Sequence, residues 1–264
     1  MQLSLYTGAS GMLAQELAVN VISNNIANLR TTGYKRARAE FQDMLYEHLR
    51  RVGTQTSDQG NIVPVGLDVG SGVKTVGTPR LMTQGTLIST GNTLDVAIRG
   101  EGFFKILQPD GTFAYTRDGS FNLDGQGRIV TAEGNLVQPG ITIPQTATAI
   151  TVNQSGQVSV IIPPATTPTI VGQFDLTRFI NPAGLLPIGD NLFLETPASG
   201  TPQDGTPNTN GYGNLQQFNL EQSNVDAVVE ISDLISAQRA YEFNSRVVST
   251  SDQMLQTTAQ LSRG

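Results

Sequence analysis

The sequence has no cysteine and no tryptophan, and His48 is its only histidine. Lack of Cys excludes a disulfide framework and thiolate chemistry, and it removes a principal zinc ligand. Charge is sparse as well, at 14% of residues against 38% hydrophobic, so the surface is expected to be rich in Thr, Ser, Asn, Gln and Gly. Such a surface suits close packing against copies of itself, because few ions lose their water when faces meet. Sixteen basic residues against 22 acidic ones give −6, the wrong sign for a nucleic-acid partner. The start, Met1-Gln2-Leu3-Ser4-Leu5-Tyr6, has neither the positive charge nor the apolar core of a signal peptide. Gln15, Asn20, Asn24 and Asn25 interrupt the apolar residues that follow, which excludes a membrane span there.

What is present divides into three zones along the 264 residues. Over 1–45 the pattern is helical: Leu5, Ala9, Met12, Val19, Ile22, Ile26 and Leu29 share one stripe, beside Leu3, Tyr6, Leu13, Leu17 and Val21. Thr31-Thr32-Gly33 stops this helix, and Phe41, Met44, Leu45 and Leu49 suggest a second helical stretch. Over 221–264, Ala227, Leu234, Tyr241, Val248 and Leu255 recur at every seventh residue, with Ile231 on the same face and Ser223 as an expected N-cap. Burying each such residue is worth about 1.5–3 kcal/mol, and a sustained seven-residue repeat asks for a partner helix. The other end of the same chain is the nearest one, with Tyr241 expected in the core of the seam.

Residues 67–220 read as strand and turn. Candidate strands at 112–117, 120–123, 128–131 and 135–138 alternate with Asp110-Gly111, Asp118-Gly119, Asp124-Gly125 and Glu133-Gly134, the pattern of an antiparallel meander or small barrel. Residues 196–207 look like a polar loop leading to the last helix. The connection 46–66 is long and polar, an extended linker or hairpin, and about twenty extended residues reach on the order of 60 Å. It is expected to dock on neighbouring molecules and stiffen an assembly. The fold class expected is α+β, with long terminal helices pairing in a coiled-coil-like layer and a β-rich antiparallel middle.

No catalytic, cofactor or metal residues emerge. Gly100-Glu101-Gly102 begins like a dinucleotide fingerprint, but Lys105 stands where the third Gly belongs; an aromatic strand after a glycine bend explains it better. Asp118 and Asp124 each precede Gly in a turn. No second His or Cys accompanies His48, so neither a metal site nor a His-based triad can be assembled. Arg30, Lys35, Arg36, Arg38, Arg50 and Arg51 hold six of the sixteen basic charges and read as a junction that pairs with Glu40, Asp43 and Glu47 or with acidic neighbours.

Three separated motifs carry a resemblance. Val21-Ile22-Ser23-Asn24-Asn25-Ile26-Ala27-Asn28, followed by Thr32-Gly33-Tyr34-Lys35, resembles the N-terminal signature of the flagellar rod and hook proteins. Ser223-Asn224-Val225, Gln238-Arg239-Ala240-Tyr241-Glu242, Asn244-Ser245 and Ser251-Asp252-Gln253-Met254-Leu255 resemble the C-terminal signature. Asp95 to Phe104 and Tyr115 to Phe121 resemble its middle motifs. The length and residues 66–88 are similar to the distal-rod branch, with other axial members (a proximal-rod or hook-like subunit) as the alternative. The resemblance implies helical polymerisation with copies of itself, contacts to proximal rod and hook subunits and to periplasmic and outer-membrane ring proteins, and export by the flagellar type III apparatus without signal cleavage. Its place is then the basal body, spanning the periplasm. The residues expected to carry polymerisation are Leu5, Met12, Val19, Ile22, Asn24, Asn25, Ile26, Asn28, Ala227, Ile231, Leu234, Tyr241, Val248 and Leu255. The three asparagines are expected either to bond backbone groups of neighbouring subunits or merely to cap and end the first helix.

Overall fold

The computed structural model describes residues 2–50, 52, 65–164, 167–209 and 211–261. The fold is α+β: one helix at each end of the chain and antiparallel strands between them. Two compact units interleave along the sequence, one gathering 1–26, 37–79 and 227–264, the other 27–36 and 80–226.

The first unit holds helix α1 (Gln2–Ala27) and helix α2 (Ala227–Leu261). α2 runs for 35 residues because no Gly or Pro interrupts it. It starts four residues later than Ser223, which instead accepts a hydrogen bond from Val225 N–H (3.3 Å) in the preceding turn. The second helical stretch expected around Phe41–Leu49 is two strands, Glu40–Asp43 and Tyr46–Arg50. Their partners are Val73–Gly77 and Leu67–Gly70, both antiparallel. The apolar spacing of Phe41, Met44, Leu45 and Leu49 imitates a helix, but these side chains are exposed or half-buried, so no helical face buries them. Of the 46–66 connection, residues 51 and 53–64 lie outside the described residues. Pairing of Tyr46–Arg50 with Leu67–Gly70 makes its two ends antiparallel neighbours. Among the described residues no helix is long and apolar enough to cross a membrane.

The second unit is built on a seven-stranded sheet. Its order runs Leu186–Gly189, Leu192–Leu194, Phe113–Thr116, Phe104–Leu107, Leu136–Val137, Ile129–Val130, Asn122–Leu123. A three-stranded sheet (Ala149–Val152, Gln157–Ile161, Thr169–Gln173) accompanies it. The turn pairs do separate strands as the sequence suggests, with Gly111 and Gly134 at positive φ. Strand alternation sends adjacent Phe103 and Phe104 to different clusters. Phe104 joins Ile98, Ile106, Phe121 and Phe174 in the main core, its ring edge-on to Phe121 at 5.0 Å. Phe103 joins Tyr115, Phe179, Leu185 and Phe193 in a smaller one. The 196–207 segment is not a free loop: Gln203–Gly205 pairs with Leu176–Arg178.

Candidate functional site

α1 and α2 pack together, and their seam is made of small and polar residues. A Cβ at Gly8 would lie 2.8 Å from Val248 Cγ2, and one at Gly11 only 2.7 Å from Asn244 Nδ2. Both glycines weaken an isolated helix by roughly 1 kcal/mol each, and close approach of the partner helix is what they allow. Ser251 Oγ donates to Ser4 Oγ (3.3 Å). Asn25, 1% exposed, donates through Nδ2 to Glu230 Oε2 (3.1 Å) and to Ala37 O (2.8 Å), and accepts from Ala37 N–H (3.0 Å). On α2 the buried positions are Glu230, Ala237 and Ser251, three residues on from the apolar heptad.

The expected residues are therefore distributed unevenly. Leu5, Met12, Val19, Ile22 and Ile26 on α1, and Ala227, Leu234, Val248 and Leu255 on α2, are half-buried, while Ile231 is exposed. Tyr241, expected in the core of the seam, is 43% exposed, because the helix turns Ala237 and Asn244 inward beside it. The asparagines differ too. Asn25 is engaged inside the chain, Asn28 Oδ1 accepts from Thr31 Oγ1 (3.1 Å) at the helix end, and Asn24 is on the surface. Large apolar side chains of α2 stand in solvent instead, among them Val228 at 77% and Phe243 at 61%.

A second arrangement joins the N- and C-terminal signatures within the β-rich unit. Lys35 and Glu221 side chains are both 0% exposed, with Nζ 2.5 Å from Oε1. Lys35 Nζ also donates to Thr83 O (2.9 Å), and Gly85 N–H donates to Glu221 Oε1 (2.9 Å). Burial holds the Lys35 ammonium below the usual lysine range, outweighing the attraction of Glu221, with Arg117 pushing the same way as burial. Burial likewise lowers the buried Arg117 guanidinium, whose Nε is 3.7 Å from Glu221 Oε2. Asn224 closes the clasp: its Oδ1 accepts from Arg36 N–H (2.7 Å), and its Nδ2 donates to Leu81 O (2.8 Å). Gly33, at φ 68°, donates its N–H to Glu221 O (2.8 Å). A Cβ there would lie 2.7 Å from Asp118 N, so the Thr-Gly-Tyr-Lys motif requires glycine. The sequence marks Lys35 as part of a charged junction and Asn224 as part of a terminal motif, and gives no sign that Glu221 joins them. Asn224 lies in the Ser223-Asn224-Val225 motif, which reads as a helix start rather than a clasp, and Glu221 lies outside it.

Family models match along the chain in order. The flagella basal body rod protein model covers residues 5–35, the flagellar hook protein FlgE/F/G D1 domain 97–160, and the flagellar basal body rod FlgEFG protein C-terminal 216–261. Paired terminal helices and a β-rich unit bearing these matches define a flagellar axial protein of the rod and hook class. The flagellar basal-body rod protein FlgG of Caulobacter vibrioides is 57% identical over 258 residues, covering 98% of each chain. That of Agrobacterium fabrum is 51% identical over 251 residues, covering 95% of this chain and 96% of the relative. The rod protein FlgF of Caulobacter vibrioides is more distant, at 34% over 98% of this chain and 95% of that one. The chain belongs to the FlgG family of flagellar basal-body rod proteins, and it is a structural subunit of the distal rod.

Proposed function

We propose that the chain polymerises helically through its terminal helices into a rigid shaft that crosses the periplasm and passes torque to the hook. The observation that carries this reading is the apolar surface that α2 leaves in solvent, including Val228, Phe243, Val247 and Met254. A helix this long with such a face is stable only when neighbours cover it. The residues from Leu5 to Asn28 and from Ala227 to Leu255 named above then bury further in the polymer. The role is structural, with no catalysis. Its other partners are proximal rod and hook subunits, the surrounding periplasmic and outer-membrane ring proteins, and the flagellar type III export apparatus, which passes the chain without signal cleavage. Residues 46–66 reach neighbouring subunits and stiffen the shaft.

Electron microscopy of the purified full chain at rising concentration tests the reading: tubes are expected above a threshold concentration. Leu234→Asp or Leu255→Asp is expected to abolish them while the strand circular-dichroism signal persists, since a carboxylate buried in the helical layer costs several kcal/mol. Normal assembly by both variants would overturn the assignment of the layer.

A further inference from the structure

In the β-rich unit a cavity of about 390 Å³ opens beside the smaller aromatic cluster. Phe103 and Phe179 line it, edge to face at 6.0 Å, together with Met82 and Ile180, the latter 77% exposed. Two guanidiniums line it as well, Arg117 and Arg178. Arg117, its side chain 5% exposed, lies over the Phe103 ring at 5.6 Å. Its Nη2 donates to Gly100 O (2.7 Å), while its buried Nη1 has no hydrogen-bond partner among the described residues. Arg178, its side chain 36% exposed, has Glu101 at 3.8 Å, a carboxylate that also lines the cavity, and lies over the Tyr212 ring at 5.8 Å. Arg117 keeps the floor of the pocket positive and the more exposed Arg178 supplies reachable donors, so the pocket suits a carboxylate carried on an apolar arm.

The same unit presents such an arm. Strands Leu186–Gly189 and Leu192–Leu194 form a hairpin whose tip residues Asp190 and Asn191 have φ of 50° and 58°, the two-residue turn favoured in hairpins. Leu186 and Ile188 on its outer strand are exposed. No hydrogen bond or ion pair engages the Asp190 carboxylate among the described residues. By contrast Asp110 is taken by Thr112 (2.6 Å), Asp118 by Ser120 (2.8 Å) and Asp124 by Arg128 (2.7 Å). Glu133 sits between Ala132 and Gly134, with no large apolar residue beside it.

We propose that the Asp190 hairpin tip of one copy docks in the Arg117–Arg178 cavity of the next, a head-to-tail contact between β-rich units. It rests on the reading that the chain polymerises, and it adds a contact outside the helical layer. A heterologous contact of this kind builds an open helical polymer when its rotation does not close a ring.

The native chain has no cysteine, so introduced thiols report unambiguously. Full-length Ile180→Cys and Ile188→Cys chains, mixed, assembled and oxidised, are expected to give a disulfide-linked dimer in the polymer fraction and none in the monomer fraction. Arg178→Glu and Asp190→Lys should each raise the assembly threshold about tenfold, equivalent to about 1.4 kcal/mol. Combined, they should return it to within about threefold of the unaltered chain, because the reversed pair re-forms. Asp190→Asn, which tolerates the same positive φ, separates loss of charge from damage to the turn. Polymers that form without the cross-link, with additive charge reversals, would overturn the docking and leave polymerisation standing. Failure of the unaltered chain to polymerise would overturn both.

Discussion

Lys35→Met removes the cation from a pair whose two side chains are fully buried. Breaking one side of a buried ion pair costs about 3–5 kcal/mol. Glu221 would keep the Gly85 N–H at 2.9 Å and Arg117 at 3.7 Å, which places this variant at the low end, about 3 kcal/mol. Glu221→Gln leaves Lys35 buried with Thr83 O as its firm acceptor. Because its pKa is already lowered, Lys35 can shed its proton, which limits that cost to about 2–3 kcal/mol. The double variant should cost about 3–4 kcal/mol, well short of the sum, a coupling of about 2 kcal/mol. Urea unfolding followed by tyrosine fluorescence measures it, with no tryptophan to interfere. At about 1–3 kcal/mol per molar urea, each single variant shifts the midpoint by roughly 0.7–3 M. Shifts below about 0.3 M, or strictly additive costs, would refute the clasp as a stabilising unit.

Three further outcomes are expected. Between the lowered Lys35 pKa and 10.5 the unfolded chain binds more protons than the folded one, so stability rises with pH across that window; Lys35→Met should flatten the slope of urea midpoints measured there. Gly8→Val should lower the helical melt by about 1–3 kcal/mol relative to Ala9→Val, because a Cβ at Gly8 already crowds Val248 whereas Ala9 is exposed; equal melts by circular dichroism would contradict the close seam. Deletion of 46–63 should leave polymers that form but bend, and an unchanged persistence length in electron micrographs would remove that segment from the stiffening role.

The legible parts of the fold are those whose signal is local. α2 shows as a long run free of Gly and Pro, and the strands at 113–116, 122–123, 129–130 and 136–137 fall between turn pairs visible in the sequence. The helix seam is harder to see, because Asn25, Glu230, Ala237 and Ser251 are small or polar and a search for apolar periodicity passes over them. Tyr241 shows the same effect: its heptad is visible in the sequence, but within the chain it lies beside the helix contact and stays 43% exposed. Lys35 and Glu221 stand 186 positions apart, and nothing in the residues near either one points to the other. The cavity at Arg117 escapes sequence reading altogether, since its walls come from strands and loops between residues 82 and 182.

That separation of Lys35 and Glu221 also bears on the order of events during synthesis. A growing chain exposes Lys35 long before its partner exists, and the ammonium stays hydrated until residue 221 has emerged. The β-rich unit therefore cannot reach its final state while the ribosome is still making its last strands, however early its central sheet collapses. By the time Glu221 has left the ribosome and is free to close on Lys35, much of α2 (Ala227–Leu261) has already been translated. A chain cut short before residue 221 should stay open and protease-sensitive at its 31–36 turn, and never mature into a stable fragment.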